Sequence, residues 1–180
     1  VTINTPKDAI RAGIGLVTED RKQSGCFLPL SIRLNTVMAA LPQHCKGPFV
    51  QQKKTGESAA AIKETLAVKA PSTETIISNL SGGNQQKVLI GRWLLTEPEI
   101  LIFDEPTRGI DVGSKAEIHR MISDLAKQGK CIIMVSSELP EVMGMSDRIL
   151  VMHEGELTGF VDRKDFSQET IMRYATGIVE

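Results

Sequence analysis

From residue 100 onwards, short apolar segments alternate with longer amphipathic ones. Residues 100–103, 131–135 and 148–152 have the length and apolar character of buried strands. The segment between the first two carries apolar residues at the spacing of one helical face: Ile118, Met121, Ile122 and Leu125. Apolar strands that alternate with helices are typical of a parallel sheet covered on both faces. The sequence therefore predicts an α/β fold.

The earlier part of the chain has a different rhythm. Residues 14–17 predict one more buried strand, but residues 20–95 contain no convincing strand pattern. Three helices are predicted there: 32–41, 57–68 and 82–95. Pro42, Gly47, Pro48 and Gly56 predict a loop between the first two helices. We interpret this region as a helical subdomain inserted into the α/β core.

Composition excludes several classes of protein. The 180 residues carry a net charge of −1 and only 4% aromatic side chains, which disfavours a nucleic-acid surface. The apolar runs are all shorter than the ~18 residues that a membrane span needs. Three cysteines are widely spaced, which is typical of free thiols in a reducing compartment: Cys26, Cys45 and Cys131.

Two adjacent carboxylates, Asp104 and Glu105, follow the predicted strand 100–103. In open α/β sheets, ligands bind at the carboxyl ends of the strands. Asp104 could hold Mg²⁺ through a water molecule, and Glu105 could orient and polarise an attacking water. Two solvated acids before a turn at Pro106 are the alternative, which these residues alone leave open.

Ser81, Gly82 and Gly83 begin the predicted helix 82–95. Serine is a good N-cap, and glycines allow a ligand to approach the backbone amides closely. The helix dipole adds partial positive charge at this end, which suits a phosphate group. A serine cap after an ordinary turn is the alternative reading of these three residues.

The order and spacing of three motifs narrow the choice. Residues 80–85, 100–105 and 107–111 resemble the signature loop, the Walker B segment and the D-loop of the ATP-binding-cassette (ABC) ATPases. This resemblance implies a partial P-loop NTPase core with a mostly parallel sheet and an inserted α-helical subdomain. The subdomain would span about 20–95, and a RecA-like part of the core would span 96–180.

The resemblance also implies roles for individual residues. It makes Glu105 the catalytic glutamate, Asp104 the Mg²⁺ residue and Asp111 the D-loop aspartate, which could equally cap the following helix. It assigns contacts with the nucleotide of a facing cassette to the signature loop: Leu80, Ser81, Gly82, Gly83, Asn84 and Gln85. The implied cofactors are ATP and Mg²⁺, and the implied mechanism sandwiches ATP between two cassettes.

The phosphate loop of such ATPases, Walker A, is absent. Gly129 and Lys130 form the only Gly-Lys pair, but Asp124 stands where the first glycine of the loop should be. We expect this loop, with its strand and helix, upstream of Val1 in a longer protein. Without it, we expect neighbouring apolar surface to be exposed.

Two further positions depart from the family pattern. Glu19 occupies the position of the Q-loop glutamine, and Ser137 occupies that of the switch histidine. Serine cannot supply an imidazole hydrogen bond to the γ-phosphate. We favour a helix N-cap role for Ser137, before Glu138 and Pro140. We also hypothesise that the nucleotide site on this half is slow or silent, even in the intact protein.

Residues 19–22, 107–113 and 136–141 most resemble the C-terminal cassette of tandem ATPases from bacterial monosaccharide importers. The implied function is ATP hydrolysis that energises sugar import, at the cytoplasmic face of the inner membrane. The implied partners are a membrane permease, a second cassette and, indirectly, a periplasmic sugar-binding protein, with no nucleic acid. Two alternatives stay open: a non-catalytic half that only completes the partner's ATP site, and a non-transport ABC ATPase.

Overall fold

The computed structural model describes residues 1–177, so the last three residues of the predicted core lie outside the described residues. These described residues contain seven strands: β1 Ile14–Val17, β2 Cys45–Lys46, β3 Phe49–Val50, β4 Ile100–Asp104, β5 Cys131–Val135, β6 Arg148–His153 and β7 Glu156–Asp162. The α-helices among the described residues are α1 Pro6–Arg11, α2 Ile32–Val37, α3 Gln52–Thr65, α4 Gly82–Leu94, α5 Val112–Lys127, α6 Leu139–Met145 and α7 Gln168–Ala175.

The chain divides into two compact units, residues 1–133 and the part from residue 134 onward. The predicted boundary near residue 95 is a different division, between helical and α/β parts, and it stays a prediction. No helix among residues 1–177 combines the length and the apolar character that crossing a membrane requires.

The sheet of the first unit confirms the predicted strands at 14–17 and 100–103. Strand β4 lies between β1 and β5, and β1 runs parallel to β4 with Gly15 opposite Leu101. Helix α4 packs on the face of the sheet that carries Gly15, so closely that a Cβ on Gly15 would lie 3.3 Å from the Cβ of Trp93. Trp93 is half-buried there.

The prediction that both faces of the sheet are covered is wrong for the described chain. Leu101 and Phe103 are buried, but Leu16 on the opposite face is 41% exposed. Residues also alternate along β5, where Ile133 is 48% exposed. The helices therefore bury one face of β1 and leave apolar surface on the other, and the expectation of exposed apolar surface is confirmed.

The helical middle region contains α2, α3 and α4, as the sequence predicts. The predicted loop at 42–56 is wrong, because a 3₁₀ helix, the short hairpin β2–β3 and the start of α3 occupy it. Helix α3 begins at Gln52 because Thr55 is fully buried, where its hydroxyl accepts a hydrogen bond from Arg33 of α2 (3.1 Å). This tertiary contact is invisible to local sequence patterns.

In the second unit, β6 pairs with β7 in antiparallel register, so the prediction that residues 148–152 join a parallel sheet is wrong. The cause is the two-residue turn between the strands. Glu154 and Gly155 have φ values of 48° and 85°, and positive φ at both central residues is the geometry of a type I′ hairpin turn. One face of this hairpin packs on α6 and α7, and its Ile149, Val151 and Val161 are buried together with Ile171 of α7.

We predict that Gly91→Ala destabilises the protein by about 1–3 kcal/mol, the usual cost of overpacking a core. A Cβ at Gly91 would lie 2.2 Å from the Cγ2 of Ile62 in α3, and a β-branched side chain cannot swing away cheaply. Gly56 is the matched control, since it lies in α3 with no atom within 4 Å of a new Cβ.

Gly56→Ala should stabilise the protein by about 0.5–1 kcal/mol through helix propensity. Urea unfolding of both variants measures the two effects. Equal stability changes at the two positions would contradict the packing of α4 against α3.

Candidate functional site

The two predicted carboxylates lie where β4 meets the following turn. Asp104 is the last residue of β4, and Glu105 has a φ of 46°, a left-handed conformation that costs a non-glycine residue about 1–3 kcal/mol. Buried Thr107 anchors the turn and accepts a backbone hydrogen bond from Ile110 (3.2 Å). The turn therefore redirects the chain immediately after Asp104 and holds Glu105 in a strained position.

The donor chemistry at this turn fits Mg²⁺. Among residues 1–177, no group of three or more His, Cys, Asp and Glu side chains could hold a metal ion. Mg²⁺ bound with a nucleotide takes only one or two carboxylates, because phosphate oxygens and water complete its shell. The half-buried carboxylate of Asp104 suits that limited role.

The predicted signature residues surround the first turn of α4. Ser81 occupies the N-cap position, but its side chain caps no backbone amide of the helix. Its hydroxyl instead accepts a hydrogen bond from the side-chain amide of Asn84 (2.9 Å), and Asn84 Oδ1 accepts one from the backbone of Lys69 (2.8 Å). The serine side chain thus shapes the loop without binding the first-turn amides. The partial positive charge of the helix dipole at this end is therefore not offset by a side-chain cap.

Both glycines of the loop are tightly packed against other segments. A Cβ on Gly83 would lie 2.5 Å from the side chain of Ser114 in α5, and a Cβ on Gly82 would lie 3.0 Å from the guanidinium of Arg21. The first contact brings the start of α5 against the start of α4. Only glycine fits at position 83, which is buried against the start of α5.

Gln85 holds the loop from inside. Its side chain is buried, and its amide donates hydrogen bonds to the carbonyl oxygens of Ile77 (3.1 Å) and Leu80 (3.2 Å). Its Oε1 accepts a hydrogen bond from Arg21 Nε (3.0 Å). Gln85 therefore fixes the positions of these two carbonyl oxygens. Leu80 itself is half-buried.

Glu19, at the position of the Q-loop glutamine, forms an ion pair with Arg108. Arg21 also reaches the turn after Glu105, through a long contact of 3.5 Å with the carbonyl oxygen of Arg108. The segments that follow β1 and β4 are thus joined by charged side chains. Sequence reasoning missed both arginines, although they lie inside the motifs that it singled out.

Asp111 caps α5, which confirms the local role predicted for it. Its carboxylate accepts a hydrogen bond from the backbone N–H of Ser114 (3.0 Å), and the hydrogen bonds from Ser114 lower the pKa of Asp111. A carboxylate at this position also complements the helix dipole. The contact with Ser114 places Asp111 at the same helix start that packs on Gly83.

Ser137 lies in the second unit, and the prediction that it caps α6 is wrong. Glu138 occupies the N-cap position, and the hydroxyl of Ser136 accepts a hydrogen bond from the backbone N–H of Glu138 (3.1 Å). The same hydroxyl donates to the buried carboxylate of Glu141. Ser136 therefore takes the turn-forming role, and Ser137 is exposed.

A buried cation ties α4 to α5. Lys87 Nζ lies 2.7 Å from Glu117 Oε2 and donates a hydrogen bond to the carbonyl oxygen of Ala67 (3.1 Å). The hydrogen bond from Lys87, and then its charge, lower the pKa of Glu117. The helix that begins with the signature residues is thus fixed to the helix capped by Asp111.

A family model for ABC transporters matches residues 3–108. The match includes Glu19, the loop at 80–85 and the two carboxylates at the end of β4. This chain belongs to the ABC transporter family.

Named relatives of this ABC transporter chain agree with the family. It is 55% identical over 176 residues to a ribose/galactose/methyl galactoside import ATP-binding protein of Geobacillus kaustophilus, which covers 98% of the chain and 35% of the relative. It is 57% identical over 177 residues to a protein of the same description from Ralstonia nicotianae, with 98% and 34% covered. The chain thus spans about a third of the length of these curated relatives.

Solved ABC structures share the fold. One is a dimeric ATP-binding cassette in a post-hydrolysis state with ADP and Pi, with a TM-score of 0.72 at 21% identity, covering 91% of this chain and 69% of that one. Another is a metal-chelate type ABC transporter in an inward-facing conformation, with a TM-score of 0.76 at 17% identity, covering 92% and 64%. At these identities the likeness establishes the fold alone, and it confirms the predicted α/β ABC ATPase class.

Proposed function

We propose that the chain is part of an ATP-hydrolysing subunit that powers the import of a monosaccharide through an ABC transporter. Relatives at 55% and 57% identity carry sugar-import descriptions. The observation that carries the proposal is the start of α4, where two glycines are held in tight contacts and the serine leaves the helix amides uncapped.

The signature residues would act on a nucleotide held by another cassette. First-turn amides at a helix N-terminus bind phosphate, because the donors and the helix dipole act together. Ser81 is exposed and its hydroxyl can add one more hydrogen bond. The second cassette is therefore the partner that this surface fits, and both would associate with a permease at the cytoplasmic face of the bacterial inner membrane.

Glu105 and Asp104 would serve a nucleotide bound on this half. Mg²⁺, when bound with ATP, neutralises phosphate charge as the terminal phosphoryl group is transferred. Asp104, at the end of β4, would bind that ion with its carboxylate. Glu105 would accept a hydrogen bond from water and orient it, and its strained backbone supports a position selected for chemistry rather than for stability.

The departures at Glu19 and Ser137 support a slow or silent site on this half. Glu19 carries a negative charge where the family pattern has a neutral amide, and Arg108 already engages that charge. Ser137 offers a hydroxyl where the pattern has an imidazole. A half that contributes mainly its signature loop to the partner's site is the second candidate, and the pairing of Glu19 with Arg108 favours it.

We predict that Ser81→Asp, in the longer protein, lowers ATP turnover at the other cassette by about a hundredfold. Asp caps a helix as well as Ser, but its charge would face the γ-phosphate, and like charges about 4 Å apart repel by about 1–4 kcal/mol near a protein surface. Ser167→Asp at the N-cap of α7 is the matched control and should leave turnover unchanged. Unaltered turnover in Ser81→Asp would contradict the proposed contact.

The activity of this half can be tested in a protein whose other cassette lacks its catalytic glutamate. We predict slow turnover with Ser137, and a gain of roughly tenfold to a hundredfold in Ser137→His, the effect of one hydrogen bond to a charged group. Adding Glu105→Gln should abolish the gain. Glu154→Gln, which has the same residue type and a similar φ of 48°, should leave it intact.

A normal rate with Ser137 in place would contradict the hypothesis of a slow site. A gain that survives Glu105→Gln would contradict the role proposed for Glu105.

A further inference from the structure

One face of α4 is fastened along its length to a single neighbouring segment. Gln85, Leu89 and Arg92 follow the i, i+4, i+7 spacing that places residues on one helical face. Each of the three contacts residues 21–35, which are called the 21–35 segment below. This segment begins in the turn after β1 and ends at Asn35, within α2.

The first attachment lies near the start of α4. Arg21 Nε donates a hydrogen bond to Gln85 Oε1 (3.0 Å), and this glutamine also holds the carbonyl oxygens of Ile77 and Leu80. The second attachment lies one turn further along. There a Cβ on Gly25 would lie 2.8 Å from Leu89 Cδ1, so the backbone of the segment touches the helix directly.

The third attachment is the strongest. The guanidinium of Arg92 donates to the carbonyl oxygen of Gly25 (2.8 Å), to the carbonyl oxygen of Asn35 (2.7 Å) and to Asn35 Oδ1 (2.9 Å). Arg92 is only 7% exposed, and the ring of Phe27 lies 5.3 Å from its guanidinium carbon. Burial lowers the pKa of Arg92.

The ion pairs found among residues 1–177 give Arg92 no carboxylate partner. Its charge depends on two backbone carbonyls, one side-chain amide and an aromatic ring. Leaving a buried charge unsatisfied costs several kcal/mol. Helix α4 and the 21–35 segment therefore cannot separate at this point without a large penalty.

Asn35 extends the attachment to an exposed loop. Its side-chain amide donates to the carbonyl oxygens of Phe27 (3.0 Å), Leu30 (3.3 Å) and Ser31 (3.1 Å), and its Oδ1 accepts from the backbone N–H of Phe27 (2.9 Å). Phe27 is 46% exposed. The loop at 27–31 thus exposes Phe27, while its backbone is held by the same asparagine that binds Arg92.

We propose that Arg92 is a positioning residue that makes the 21–35 segment and α4 move as one body. A displacement imposed on the loop at 27–31 then reaches Gly82 and Gly83, which lie roughly 15 Å from Arg92 along the helix axis. This inference rests on the proposed function, in which those glycines bind the partner cassette's nucleotide and both cassettes associate with a membrane permease.

The test uses Arg92→Lys in the longer protein with its membrane partner. Lysine keeps the charge but loses the rigid fork that reaches three acceptors at once. Lys87→Arg is the matched control, because it exchanges the other buried cation of α4 on a face that contacts Ala67 and Glu117 instead of the segment.

We expect Arg92→Lys to keep its basal ATP turnover and KM and to lose about tenfold of the stimulation by the membrane partner, within the usual range of coupling between sites. Lys87→Arg should keep the stimulation. Full stimulation in Arg92→Lys, or an equal loss in both variants, would overturn the inference. A wild-type protein that its membrane partner never stimulates would instead contradict the proposed function.

Hydrogen exchange tests the inference independently of ATP turnover. Amides at 27–31 and at 82–86 should lose protection together in Arg92→Lys and keep it in Lys87→Arg. Unchanged protection at either segment in Arg92→Lys would overturn the proposed role of Arg92, whatever the transport assay shows.

Discussion

The burial of α4 is the constraint on which the rest of the first unit depends. Arg92 binds the 21–35 segment through three hydrogen bonds, Gly91 lets α3 approach to contact distance, and Lys87 pairs with Glu117 of α5. Lys87 and Gly91 are four residues apart and lie on one face of the helix, and Arg92 lies on another. Because the sides are occupied, the start of the helix is the part left for a ligand, and its uncapped amides suit an anion.

The same arrangement joins the predicted motifs to one another. Glu19 and Arg108 connect the turns after β1 and β4, while Gly83 packs on Ser114 at the start of the helix that Asp111 caps. Surface ion pairs contribute about 0–1 kcal/mol to stability, so the pair of Glu19 and Arg108 is better understood as an influence on charge at the site. Arg108 pairs with the carboxylate of Glu19, the residue that stands where the family pattern has a glutamine.

Local patterns in the sequence predicted the elements whose causes are local. Strand β4 follows from its apolar run, and the cap of α5 follows from Asp111. The start of α3 could not be predicted, because Thr55 is buried by a contact with distant Arg33. The antiparallel pairing of β6 was missed because the turn depends on Glu154, a residue that rarely adopts positive φ.

The candidate site divides in the same way. The loop at 80–85 and the carboxylates Asp104 and Glu105 were predictable from motif order, because each motif is a continuous stretch. Arg21 and Arg92 were not, because their roles come from contacts between segments far apart in sequence. Arg92 is a charged residue in a buried helix, and the structure makes it the point at which α4 is attached to the 21–35 segment.

We propose that the signature loop completes a site whose nucleotide is held by a second cassette. A structure of the longer protein with ATP trapped in both sites measures this directly. We predict that the backbone N–H of Gly83 lies about 3 Å from a γ-phosphate oxygen of the ATP held by the other cassette. A γ-phosphate fully bound by other residues, with the loop at 80–85 facing solvent, would contradict it.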